Sequence, residues 1–201
     1  MLAKKNLVQQ QLKNMPNEIL KTIRTRRSVN QNSFTNEPIS KEDLLSVLEA
    51  ANAAPTHKRT QPWRFVVFQN DGLNRLGNEL SRIYKAITPS EKYNAITEEN
   101  MGKKATMSTV AIAIIVNYSG DVPEWEELAA TACSVQNIWL AAHAIGLGGY
   151  WASPGLINHL GPFLSLEDNQ KCIGIFYMGH HNSEVRDPVR SPIEEKVRWE
   201  G

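Results

Sequence analysis

Apolar residues recur along this chain at two different periods. Residues 110–116 (VAIAIIV) form a nearly unbroken β-branched run, the pattern of a strand covered on both faces. Residues 64–68 (RFVVF) and 171–178 (KCIGIFYM, stopped by Gly179) read the same way, and a short strand is expected over residues 149–152. Helical spacing fills the intervals. Pro16 suits the first turn of a helix running to about Arg26, with Ile19, Leu20 and Ile23 on one face. A polar loop over residues 30–38 follows. Ser40, with Asp43 three residues on, caps a helix carrying Leu44, Leu45 and Leu48 that must stop near Pro55. Residues 72–86 predict a helix with Leu73, Leu76, Leu80 and Ile83 inward, whereas residues 88–108 read as loop with some helix. Pro123 opens the strongest helix, along which Leu128, Ala132, Val135, Trp139 and Ala142 recur before Gly146 stops it. A helix near residues 155–160 comes next. The last twenty residues, with Pro188, Pro192 and Trp199, read as extended or irregular. Segregated helices and strands of this kind predict an α+β sheet flanked by helices.

Composition narrows the picture only modestly. The 201 residues are 41% apolar, enough for a core, so disorder is not expected. Lys and Arg number 22 against 21 for Asp and Glu, so there is no overall basic field of the kind that nucleic-acid binding exploits. The two cysteines, Cys133 and Cys172, both lie in apolar runs and read as buried thiols. Residues 1–11 are polar, which predicts no secretory leader, and no apolar run is long enough to span a bilayer. The expectation is a cytoplasmic protein with a loosely attached extension over residues 1–15 and a single domain over residues 16–201.

Candidate chemistry gathers in three places. Arg24, Arg26, Arg27 and Ser28 close the first helix; paired guanidinium donors match phosphate oxygens, but cations also suit any helix C-terminus. Between Pro55 and Pro62, His57, Lys58, Arg59 and Gln61 make a donor-rich loop, and Trp63 after it reads as core. The third is GLGGYWASPG over residues 146–155, where four glycines clear room for a flat ligand or a close backbone approach. It follows a helix and precedes a strand, the wrong order for a Rossmann loop. No serine-nucleophile elbow or phosphate-binding P-loop is present. His180 and His181 are adjacent and, on a strand, point to opposite faces; His143 has no second ligand a turn away, and no metal site is expected. Asp121, Glu124, Glu126 and Glu127 at the start of the long helix read as dipole complementation. Donors without a nucleophile point to chemistry performed by a bound cofactor.

These three clusters, in this order, resemble the flavin-dependent nitroreductase family. Arg26-Arg27-Ser28-Val29 is similar to its R-R-S-x element, EAANAAPTHKRTQPWRFVV to its central signature, and SVQNIWLAAHAIGLGGYW to its long-helix signature. The resemblance spans roughly residues 23–190, is strongest to a compact branch, and implies a mostly antiparallel sheet with a C-terminal segment exchanged in a homodimer. It implies FMN held at the dimer interface, with Arg26, Arg27, Ser28 and Arg190 at the phosphate and ribityl chain. His57, Arg59 and Gln61 would reach the flavin of the partner subunit, and Trp151, Ala152, Ser153 and Gly155 would lie along the ring. Ala141, Ala142, His143, Ala144, Ile145 and Gly146 would meet the nicotinamide nucleotide. The implied activity is a ping-pong cycle in which NAD(P)H reduces flavin N5 and a nitroaromatic, quinone or similar small acceptor takes the electrons, with no catalytic side chain. A flavin carrier without turnover and a specialised chemistry such as reductive dehalogenation stand as alternatives. Two positions depart from the pattern: Arg59 replaces an Asn common in the family, and Ala152 stands where members of the compact branch carry Arg.

Overall fold

The computed structural model describes residues 17–184 and 189–201; the extension expected over residues 1–15, Pro16 and Pro188 lie outside them. The run at residues 110–116 becomes β2 (Val110–Asn117), flanked in space by β1 (Trp63–Phe68) and β4 (Gln170–Gly179), with β3 (Gly148–Ala152) outermost. The order is β1-β2-β4-β3, and every neighbouring pair is antiparallel. β2 is apolar throughout because both of its faces are covered. Val110, Ile112 and Ile114, with Phe176 and Met178, pack on α2 (Lys41–Asn52) and α5 (Glu124–Ala144) through Leu44, Val47, Val135 and Ile138. Ala111 and Ala113, with Ile175 and Tyr177, face α3 (Asp71–Ile87) through Leu73, Leu76, Leu80 and Ile83. The small alanines on this second face leave room for Tyr177, which stacks on Tyr150 with ring centroids 5.4 Å apart. Each aliphatic side chain buried in this way contributes about 1.5–3 kcal/mol relative to exposure.

Caps appear where the pattern predicts them. Ser40 Oγ accepts the Asp43 N–H at 3.0 Å, and its own hydroxyl donates to the Asp43 carboxylate at 2.8 Å. Trp63 is buried, its indole N–H donating to Asn52 Oδ1 at 3.0 Å.

Several expectations are corrected. The stretch read as loop with some helix contains a full helix, α4 (Ala95–Thr106), capped by Asn94. It packs on α3 where Gly77 faces Gly102, a Cβ on Gly77 lying 2.8 Å from the Gly102 carbonyl oxygen. Of α4 only Ala105 is buried, so no apolar stripe announces this helix. The first helix, α1 (Glu18–Thr25), is capped by Asn17 and buries none of its residues; Ile19, Leu20 and Ile23 stand exposed. On α5, Val135 and Ala142 point inward, but Leu128 is exposed. Glu127 is 1% exposed, and both its carboxylate oxygens accept the Ser119 N–H, at 3.1 and 3.2 Å. It pins the loop entering α5, a task beyond dipole complementation. Cys133 is exposed, whereas burial of Cys172 raises its thiol pKa. Residues 155–160 form a 3-10 turn (Gly155–His159) before the short α6 (Gly161–Leu164), and β4 includes Gly179 instead of stopping before it. No described helix is long and apolar enough to cross a membrane.

Gly149 has no room for a side chain: a Cβ would lie 2.6 Å from the Phe176 ring and 2.9 Å from the Tyr177 carbonyl oxygen. Because Phe176 is fully buried, the ring has nowhere to retreat. Gly149→Ala is expected to cost about 1–3 kcal/mol, the usual range for overpacking, read as a lower urea midpoint. An unchanged midpoint would refute this account of the β3 edge.

Candidate functional site

The arginines at the end of α1 are held in place by the segment that leads away from the helix. The Arg26 N–H closes the helix onto Thr22 O at 2.9 Å, and Val29 N–H then donates to Gly149 O at 3.1 Å. The chain continues along the sheet: Tyr150 donates its hydroxyl to Gln31 at 2.7 Å, and Thr35 N–H donates to His180 O at 2.7 Å. This approach depends on missing side chains. A Cβ on Gly148 would sit 2.6 Å from His181 and 2.8 Å from Val29. Of the two roles open to the glycine run, the structure uses these glycines for close backbone approach by the chain itself.

Between α1, the C-terminal end of α5, the segment after β4 and the tail lies a pocket of about 770 Å³. Arg26, Arg27, Ser28, His143, His181 and Arg190 line it, with Glu184 the one acidic residue among the lining. The Arg26 guanidinium lies over the Trp139 ring at 4.3 Å, a cation–π contact, and Trp139 is itself set edge-on against Phe176. Arg26 Nη1 is buried without a hydrogen-bond partner. Burial pulls the Arg26 pKa down, and the charges of Arg27 and Arg190 add to the effect. An unsatisfied buried donor costs about 1–3 kcal/mol. Arg27 Nη1 donates to the carbonyls of Arg24 and Arg26, both at 2.7 Å. His143 Nε2 meets Thr25 Oγ1 at 2.9 Å; burial lowers its pKa first, then the charges of Arg26, Arg27 and His181. With this set of residues the pocket can bind an anion, best a phosphate.

The donor-rich loop lies elsewhere. Lys58, Arg59 and Gln61 have φ of 48°, 61° and 45°. For residues with a side chain the left-handed region costs about 1–2 kcal/mol each, so the surroundings must hold the loop in place. Lys58 Nζ donates to Asp121 O at 2.9 Å, Gln61 N–H donates to Thr56 Oγ1 at 3.0 Å, and His57 Nδ1 meets Glu126 Oε2 at 2.5 Å. His57, Arg59 and Gln61 are left exposed. Glu126 lies in the first turn of α5 and His143 in its last, so at about 1.5 Å per residue the two clusters stand about 25 Å apart along the helix. One chain does not bring them together.

The third cluster is split too. Trp151 is half-buried, its indole N–H unpartnered and packed against Gly174, where β4 bulges opposite Ile114 and Ile115. Ala152 pairs with Ile175, and Ser153 and Gly155 are exposed beyond the strand. In the run at residues 141–146, Ala142 is fully buried in the core and offers no surface to a ligand, Ala141 is half-buried, and Ala144 and Ile145 are exposed. His143 and Gly146 line the arginine pocket instead. Sequence reasoning missed Thr25 and His181 in the pocket and Glu126 as the partner of His57. Only His181 could have been flagged, because it sits just after a clear strand. Among the described residues, no three His, Cys, Asp or Glu side chains are placed to hold a metal.

Comparison with known proteins bears on the whole arrangement. The sequence model of the nitroreductase family matches residues 23–180. YfhC of Bacillus subtilis, provisionally named an NAD(P)H nitroreductase, is 29% identical over 181 residues, covering 87% of this chain and 90% of its own. A nitroreductase-like protein from Bacillus cereus superposes with a TM-score of 0.80 at 27% identity, over 92% of this chain and 97% of that one. A provisionally named nitroreductase from Desulfovibrio desulfuricans, solved in complex with FMN, gives 0.71 at 27% identity, over 93% and 99%.

Arg26→Met should keep the stem over Trp139 while removing the unsatisfied donor. Phosphate is expected to raise the melting temperature of the wild type, as any ligand of the native state does, and to raise that of the variant by less than half as much. Equal increments would show that Arg26 does not face the anion.

Proposed function

This chain belongs to the nitroreductase family, and from that premise we propose that it is an FMN-dependent oxidoreductase that takes hydride from NAD(P)H and passes electrons to a small oxidised acceptor. The observation that carries the reading is the gathering of Arg26, Arg27, Ser28 and Arg190 around one pocket, with His143 and His181 beside them. The residues present fit a phosphate-bearing cofactor. Arg26, Arg27, Ser28 and Arg190 would hold the phosphate and ribityl chain. Trp151, Ala152, Ser153 and Gly155 would run beside the ring, the unpartnered Trp151 indole among them.

When bound, FMN supplies hydride acceptance at ring N5 and electron delivery to the acceptor. The chain's own contribution is to fix the phosphate, keep one ring face open and offer positive charge toward the ring. Arg59 would supply that charge where relatives use a neutral amide. Exposed Ala144 and Ile145, with the rest of residues 141–146, would form the wall met by the nicotinamide nucleotide, Ala142 acting only through packing. The cycle would be ping-pong, donor and acceptor using the same open face in turn, with a nitroaromatic or quinone as acceptor.

The site is completed by a homodimer in this reading. The His57 loop, about 25 Å from the arginine pocket along α5, would meet the pocket of a second copy, so the partner subunit's His57, Arg59 and Gln61 would face the flavin. Two features support it. Ile19, Leu20 and Ile23 leave an apolar face of α1 uncovered, and Val189, Ile193 and Trp199 leave an apolar tail exposed. Exchange of that tail between subunits would cover both.

Purified protein mixed with FMN is expected to retain yellow colour after gel filtration and to elute as a dimer. Anaerobic NADH or NADPH should bleach it, and a quinone should restore the colour. Steady-state plots against both substrates should give parallel lines. Failure to retain FMN sinks the proposal. Retention without bleaching by either nicotinamide would favour a flavin carrier.

A further inference from the structure

We propose that His143 is a proton-coupled ligand of the arginine pocket: a dianion bound there places one proton on His143 Nδ1, which then donates to the anion. The inference rests on reading the pocket as a phosphate site and assigns His143 to the phosphate end of the cofactor.

The argument begins with Thr25. Its hydroxyl donates to the Lys21 carbonyl at 2.8 Å, as threonines on helices commonly do. With that proton committed, Thr25 Oγ1 can only accept from His143 Nε2, 2.9 Å away. Nε2 therefore carries the ring proton of the neutral imidazole, and Nδ1 is the bare nitrogen. Among the described residues Nδ1 makes no hydrogen bond. The bare Nδ1 of this pocket-lining residue is an acceptor, which an anion cannot use until it is protonated.

The charges around it set the sign. Arg26 and Arg27 face it from the end of α1, His181 with His180 behind it from the segment after β4, and Glu184 and Arg190 from the tail. Its own helix adds no charge near this end. In the free protein, burial and the cations Arg26, Arg27 and His181 hold the His143 pKa below its ordinary value, so the ring is neutral at pH 7. A dianion reverses the local field and raises the pKa. Anion affinity is then greatest below the free pKa, and falls as pH rises through the bound value. A rise of one unit corresponds to about tenfold tighter binding at the acid end.

Histidine ring NMR of the intact protein tests this, with sulfate as the probe because it stays divalent from pH 5 to 8. The His143 signal is identified by its absence in His143→Gln. Nitrogen shifts of the free protein should report the proton on Nε2. Sulfate, against chloride at equal ionic strength, should raise the His143 midpoint by about one unit, and FMN should raise it at least as far. In His143→Gln, FMN binding should lose the part of its pH dependence that does not belong to the titration of the FMN phosphate itself. A ring proton on Nδ1 in the free protein, or a midpoint unmoved by both anions, overturns the proposal. If sulfate moves the midpoint but FMN does not bind, the proton coupling stands and the cofactor reading falls. If FMN binds with the midpoint unmoved, the coupling alone falls.

Discussion

The position of the arginine pair depends on one backbone contact, the bond from Val29 N–H to Gly149 O along the outer edge of β3. It directs the chain leaving α1 against the sheet, and only a strand edge without side chains admits it. Gly148 makes room for Val29 and His181, while Gly149 makes room for Phe176 on the other side. Phe176 in turn supports Trp139, over which the Arg26 guanidinium lies. The geometry of the pocket therefore passes from a glycine pair through one core aromatic to the cation. α1 itself buries nothing and could not orient Arg26 unaided.

Positive charge is concentrated there against the preference of the chain as a whole, which is nearly neutral. Burial makes the charge of Arg26 less favourable, and the charges of Arg27 and Arg190 add to the effect. Such a cluster is less stable empty than with an anion in it.

α5 has a second role besides covering the sheet. It separates the Thr25–His143 contact from the His57–Glu126 contact by about 25 Å, so the two polar clusters lie toward opposite ends of a rigid rod. A flexible link could let them meet, but this helix packs along its length through Val135, Ile138 and Ala142. In the dimer proposed above, a second copy of the chain would supply the other half, and the uncovered apolar residues of α1 and the tail would be the surface it covers.

Strand and helix periodicity were legible wherever burial is two-sided or striped: β2, β4, α3 and α5 are visible in their residues because each must hide a continuous apolar face. α4 was not, since its contact with α3 runs through Gly77 and Gly102, and a glycine contact leaves no apolar signature. The residue types that line the pocket were visible as well, because an arginine pair and a hydroxyl adjoin in the chain itself. Their grouping was not. His143, read beside the nicotinamide, lines a pocket with the arginines, and Glu127, read as complementing the helix dipole, is buried at Ser119. Local composition determines which groups a chain can offer a ligand. Which of them share a pocket, and which tautomer His143 adopts, is decided by contacts between segments far apart in sequence, and only the packed backbone sets those distances.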